Sequence, residues 1–191
     1  MLLHTAKGIR DQGGNYILWP EQMRSERTGS YDVTALTGEA EMEIREQPIA
    51  QASFLIRKPV AEVFEAFANP DVTTKFWLER STGRLEEGAS LRWYFTPDLS
   101  TEVRVLDVSE NERILIEWGV DSDNPTTVEW TFVPRSDDTT FVKVVNQGFS
   151  GDGDTIVNDA LDSTGGFSIV LTAAKAYLEH GVVLNIVLDK A

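Results

Sequence analysis

Two histidines, His4 and His180, and no cysteine leave this 191-residue chain few routes to chemistry. Disulfides, thiolate nucleophiles and thiolate metal sites all need cysteine, and a typical zinc shell needs more than one usable imidazole. His4 lies in a tail. His180 follows Glu179 at the end of a helical stretch, where a partly positive imidazole suits the negative end of the helix dipole. Asp152, Asp154 and Asp159 fall in GDGDTIVND, which lacks the third closely spaced oxygen ligand and the closing glutamate of a calcium loop. They read as a solvated loop leading into a helix, where acids are favourable. No Gly-rich phosphate loop, P-loop or nucleophile elbow is present. Donors or bases for an enzyme come down to Arg92, Tyr94 and Tyr177. The sequence predicts no catalytic residue, no metal and no cofactor.

The large aromatics are better placed than the titratable groups. In RKPVAEVFEAFANPDVTTKFW, residues 57–77, Pro59 opens a helix in its first turn, where a missing N–H costs nothing. Val60, Val63, Phe64 and Phe67 then recur at i, i+3, i+4 and i+7, one apolar face of about two turns. Asn69-Pro70 ends that helix, and 71–75 can add a turn that delivers Phe76-Trp77. Before it, IAQASFLI (49–56) reads as a strand with Pro48 at its edge.

After Trp77 the period changes to two. GRLEEGASLRWYF reads as a hairpin around Glu86-Glu87-Gly88, with Leu91, Trp93 and Phe95 on one face and Arg92 and Tyr94 on the other. We expect the Trp93 set to face inward, since three large apolar side chains on the wet face would be costly. TEVRVLDV, ILIEW, TTVEWTFV and TTFVKVVNQGF follow, separated by turns at Glu110-Asn111-Glu112 and Ser136-Asp137-Asp138, to give six hairpin-linked strands. Glu117 and Glu129 each precede a tryptophan and so face the opposite way. In the next segment Phe167, Val170, Leu171, Ala174, Tyr177 and Leu178 keep helical spacing up to a stop at Gly181. The last residues, VVLNIVLDKA, alternate like a strand, and an apolar edge strand invites pairing between two chains, a possible homodimer contact.

These elements predict an α+β fold with one domain at 42–191. Residues 1–41, Gly/Ser/Thr-rich and without a sustained period, read as a flexible N-terminal extension; Met42 sits just before the first clear strand, as an upstream extension or a misassigned start codon would leave it. A composition of 41% hydrophobic and 25% charged residues is ordinary for a globular domain. The net charge of −14 argues against nucleic acid and anionic membrane surfaces, both of which recruit basic patches. No apolar run approaches the roughly 18 residues of a spanning helix, and MLLHTAKGIRDQGG lacks the apolar core of a signal peptide, so the expected location is cytoplasmic.

The order strand, two short helices, six-stranded meander, long helix resembles the helix-grip, START-like (SRPBCC) superfamily. KPVAEVFEAFANPDVTTKFW looks like that superfamily's opening. STGGFSIVLTAAKAYLEHGVVLN looks like the C-terminal helix of bacterial members related to the activator of heat-shock-protein ATPase, with Gly166-Phe167 where many relatives have Gly-Trp. The likeness spans residues 48 to 188. It implies a curved antiparallel sheet of about seven strands gripping the long C-terminal helix, with a cavity between them. On this sequence the implied lining is Phe76 and Trp77 as a lid, Trp93, Phe95, Trp118, Trp130 and Phe132 from strands, and Phe167, Val170, Leu171 and Ala174 from the helix.

Aromatics at strand spacing also pack cores, so each carries that second reading. The superfamily includes lipid carriers, hormone receptors, polyketide cyclases, plant allergens and co-chaperones, so the fold leaves function open. Three expectations follow: a module binding a small hydrophobic molecule, a polyketide cyclase or dehydratase-like enzyme, or a chaperone-ATPase-associated interaction protein. The first leads because no plausible base accompanies the aromatics.

Overall fold

The computed structural model describes residues 46–187 and 189; residues 1–41, read above as an extension, lie outside the described residues. Strand β1 (Ala50–Ile56) leads into helix α1 (Val60–Ala68), whose buried Val63, Phe64 and Phe67 are the apolar stripe foreseen from spacing. Asn69 ends α1 and at once caps the short helix α2 (Pro70–Thr73): its Oδ1 accepts the Asp71 N–H at 3.0 Å. Thr73 is buried and its hydroxyl donates back to Ala66 O at 2.8 Å, folding α2 against the end of α1. The Asn-Pro break is thus a built corner, and it aims Phe76 and Trp77.

Strands β2 (Arg80–Ser81), β3 (Ser90–Thr96), β4 (Leu99–Ser109), β5 (Arg113–Trp118), β6 (Thr126–Ser136) and β7 (Thr139–Gln147) form the antiparallel meander. With β1 added beside β7 the curved sheet has seven strands, in the order β1-β7-β6-β5-β4-β3-β2. Helix α3 (Gly153–His180) lies against its inner face. The inward residues are those that period two selects: Leu91 and Trp93, Val103 and Val105, Ile114 and Ile116, Val128, Trp130 and Phe132, Val142 and Val144. On the other face Arg92 meets Glu102 and Asp121, Arg104 meets Glu117, and Arg113 meets Asp107 and Glu129. Arg80 stacks on Tyr94 there too. Arg92 and Tyr94 therefore face away from any interior site.

Two expectations need correction. The hairpin at Glu86-Glu87-Gly88 does not form as drawn: the strand pairing with β3 is Arg80–Ser81, opposite Tyr94 and Trp93. Residues 83–85 are diverted to α1 instead. Leu85 is buried and its N–H bonds Ala68 O, while the Arg84 guanidinium grips both oxygens of Glu65. The second is the terminal strand. Among the described residues, 181–187 contain no strand. Gly181, at φ 67°, closes α3, and the Val182 N–H bonds back to Ala176 O. Asn185, at φ 49°, then turns the chain out of extended geometry. An edge-strand pairing through 181–187 therefore has no strand to make it.

The grip of α3 is uneven. It packs most closely on β1, where alanines face alanines and isoleucine: Ala52 and Ile56 on the strand share a core with Ala173 and Ala174 on the helix. Beyond this patch the helix clamps the free edge of β1. Lys175 Nζ donates to Leu55 O at 2.8 Å, and Glu179 Oε1 accepts the Arg57 N–H at 2.7 Å while also pairing with Lys175. Unpaired edge groups, a liability in most sheets, are satisfied here by side chains.

Burial pushes the Glu179 carboxyl up, but the Lys175 ammonium and the Arg57 N–H outweigh it and hold its pKa below the ordinary value. A group whose pKa is lowered by folding stabilises the native state above its unfolded pKa and loses that contribution as pH falls. Glu179→Gln should therefore cost about 1–3 kcal/mol at neutral pH. The difference from wild type should shrink below the glutamate range, as read by denaturant unfolding at several pH values.

Candidate functional site

The same asymmetry opens a space on the opposite side. Between the rim of β3–β5 and the first half of α3 lies a cavity of about 770 Å³, within the usual range for small-molecule sites. From α3 it takes Asp159, Asp162, Ser163, Gly166, Phe167 and Val170, one stripe at 3.6-residue spacing. The sheet supplies Phe95, Thr101, Trp118, Thr126 and Asn146, and the chain beyond α3 supplies Ile186 and Val187. Trp77 completes the wall.

Trp77 is the hub of this wall. Its ring lies edge-on to Trp93 at 5.1 Å and to Phe167 at 6.2 Å, tilted to Trp130 at 6.1 Å and stacked on Trp118 at 5.9 Å. Such geometry adds to the apolar burial of each ring. Phe76, its neighbour, turns the other way, to Phe67 at 5.5 Å and Tyr177 at 6.3 Å. It lines a smaller hollow of about 290 Å³, which shares Trp77, Phe95, Ile186 and Val187 with the main cavity. Phe95 reaches both because the β3–β4 register shifts between Tyr94 and Thr96, a bulge that re-aims its side chain.

Of the residues predicted to line a site, Trp77, Phe95, Trp118, Phe167 and Val170 stand on the cavity wall. Trp93, Trp130, Phe132, Leu171 and Ala174 pack behind it, each no more than 2% exposed. Phe64 packs edge-on and Phe67 tilted against Phe132, at 5.3 and 5.9 Å, and they fill that end of the sheet. Tyr177 is half-buried beside Phe76, not on the main cavity.

The polar lining was not foreseen. Asp159, read as part of a solvated loop, lies within α3 and, with Asp162, stands exposed at the mouth. Asp152 does act at the start of α3, its Oδ1 accepting the Thr155 N–H at 2.8 Å. Asn146 is only 7% exposed. Its Nδ2 donates to Ser163 Oγ at 3.0 Å, whereas its Oδ1 receives no hydrogen bond from any described residue. The signal was available: Lys143 marks the outer face of β7, which puts Val142, Val144 and Asn146 on the inner one.

Gly166 is the other feature that composition alone would pass over. A mid-helix glycine weakens the helix by about 1 kcal/mol relative to alanine. A Cβ built there meets nothing within 4 Å, so packing does not require the glycine; its lack of a side chain simply leaves the cavity wider. No group of three or more His, Cys, Asp or Glu side chains suited to a metal occurs among the described residues. No described helix is long and apolar enough to cross a membrane.

The sequence profile of the family described as "Activator of Hsp90 ATPase homolog 1-like protein" matches residues 57–179. No curated protein matches the chain. Among solved structures, the SSP2350 protein of Staphylococcus saprophyticus is similar at 25% identity and TM-score 0.62, over 72% of this chain and 96% of that one. DynU16, described as belonging to the dynemicin biosynthetic locus, is similar at 22% identity and TM-score 0.60, over 70% of this chain and 48% of that one. The Aha1 dimer of Colwellia psychrerythraea shares 14% identity and TM-score 0.59, over 70% of this chain and 98% of its own. The last two likenesses are of fold.

Two substitutions separate wall from helix. Trp77→Ala should destabilise the domain by about 3–5 kcal/mol, the cost of deleting a buried aromatic. Gly166→Ala should do the reverse, raising the melting temperature by about 2–4 °C through helix propensity alone. Calorimetric melting of both variants checks the pair.

Proposed function

This chain belongs to the Activator of Hsp90 ATPase homolog 1-like family, and within it we propose that the chain is a binding module holding one small, mostly apolar molecule between α3 and the open rim of the sheet. The observation that carries this reading is the wall itself. Indole and phenyl faces of Trp77, Trp118, Phe95 and Phe167 surround a space of about 770 Å³, with a few hydroxyl and amide groups set among them. Sites for apolar ligands have this composition: broad apolar contact for affinity and few polar atoms for orientation.

Catalysis of the cyclase type would draw on a base or donor held against the reacting atoms. Arg92 and Tyr94 lie on the outer face, and the carboxylates on the cavity, Asp159 and Asp162, are exposed at its mouth. This arrangement favours holding a molecule over transforming it. Docking onto a partner ATPase would instead call for a filled interior beneath an exposed apolar patch; the open interior weighs against it.

Mass spectrometry of the intact protein isolated from its own host tests the reading. A defined apolar compound, one per chain, is expected in the wild type. It should be reduced at least about tenfold in Gly166→Leu, whose side chain would enter the cavity from a position where a Cβ meets no neighbour. Protein that carries nothing, and takes up nothing from a host extract, sinks the proposal.

A further inference from the structure

We infer that the molecule held in this cavity is a cation: an apolar body that lies against the indole and phenyl faces and carries an ammonium group beside Asp159 and Asp162. The inference rests on the binding reading above and adds the charge class that the wall selects. Its first support is the rings. Trp118 is half-buried and lies nearly parallel to Trp77 and Phe95, at interplanar angles of 27° and 24°. Such faces carry the negative part of the ring quadrupole and attract a cation within about 6 Å, most strongly where water is scarce.

The second support, independent of the rings, is the charge of the wall. Among the described lining residues there is no lysine, arginine or histidine, whereas Asp159 and Asp162 stand on the helix stripe that faces the space. On the outer face of the sheet Glu102, Asp107, Glu117, Asp121 and Glu129 are each matched by an arginine. The cavity wall brings no such base to Asp159. An anion entering here loses hydration without gaining a counter-charge, and a cation gains one. The neutral groups Thr101, Thr126 and Ser163 do not oppose this, since a hydroxyl oxygen accepts from an ammonium as readily as it donates. The net charge of −14 adds a field of the same sign.

Spacing lets one molecule use both supports. At roughly 1.5 Å per residue, Asp162 and Phe167 are about 7 Å apart along α3, and Gly166 between them adds no side chain. An aromatic body on Phe167 and Trp118 therefore reaches Asp162 with a short alkyl arm. Asp159 lies about one turn nearer the start of the helix. The favoured class is an arylalkyl amine.

Calorimetric titration at neutral pH with 2-(2-naphthyl)ethylamine, 2-(2-naphthyl)ethanol and 2-naphthylacetate reads the inference directly. These share a ring system and a short arm and differ in charge. The wild type should bind the amine about tenfold tighter than the alcohol, with the acetate weakest, and added salt should lower that ratio. Asp159→Asn combined with Asp162→Asn, both exposed positions, should reduce the ratio to about twofold and alter the alcohol's affinity far less. Asp137→Asn with Asp138→Asn removes the same charge from the exposed β6–β7 turn, at the far end of β7 from Asn146 on the cavity, and should leave the ratio at its wild-type value. Equal binding of amine and alcohol, or tightest binding of the acetate, overturns the inference and leaves the cavity reading intact. A ratio unchanged in the first variant, or lowered equally in both, also overturns it, since the wall carboxylates then do not set it. If none of the three binds, the inference falls, while the compound carried by host-isolated protein still decides the binding reading.

Discussion

Lys175 and Glu179 reach across the free edge of β1, and that clamp fixes the side on which α3 touches the sheet. Alanines on both surfaces let helix and strand approach closely there. A straight helix held close to one margin of a curved sheet cannot also be close to the other margin. The gap over β3–β5 follows from this geometry, whatever fills it. Large aromatic side chains bridge it: Trp77, Trp118 and Phe167 border the space, and Trp93 and Trp130 back them.

Bridging by rings differs in kind from bridging by aliphatic packing. Isoleucine and valine on β4, β5 and β7 (Val103, Val105, Ile114, Ile116, Val142 and Val144) are buried side by side at no more than 1% exposure. Rings set edge-on or tilted at centroid distances between 5.1 and 6.4 Å hold one another apart. They prop the space open as well as line it. The stripe of α3 above them carries Gly166, which withholds a side chain at a position where a larger residue would meet no neighbour and enter the gap.

Much of this was legible in the sequence, for reasons of period. Val128, Trp130 and Phe132 alternate against Thr127, Glu129 and Thr131, and no helix fits that pattern; the Asn69-Pro70 corner was equally plain. The reading failed where one residue decides a segment. Leu85 enters the core alone and draws its neighbours to α1, and Asn185 adopts a left-handed turn inside an apolar run. Within the site, period tells which face a tryptophan takes but not how deep it sits. Trp93 and Trp118 look alike in sequence. One is sealed behind Trp77 and the other borders open space, because depth depends on the height of α3 above each strand. Asn146 needed no such knowledge. Lys143 orients the strand, and a step of three residues places Asn146 on the opposite, inner face.

The segment beyond Gly181 has a consequence for what the domain can hold. Ile186 and Val187, with Trp77, Phe95 and Thr96, are the wall shared by the larger cavity and the 290 Å³ hollow. Three sides of the space are built from sheet and helix; this one is irregular backbone, turning at Asn185 and tied by the Asp189 N–H to Asn185 O. Regular structure resists displacement far better than such a strap. The position of this wall is accordingly set by one turn and one backbone hydrogen bond, where the other sides are set by a whole helix or sheet.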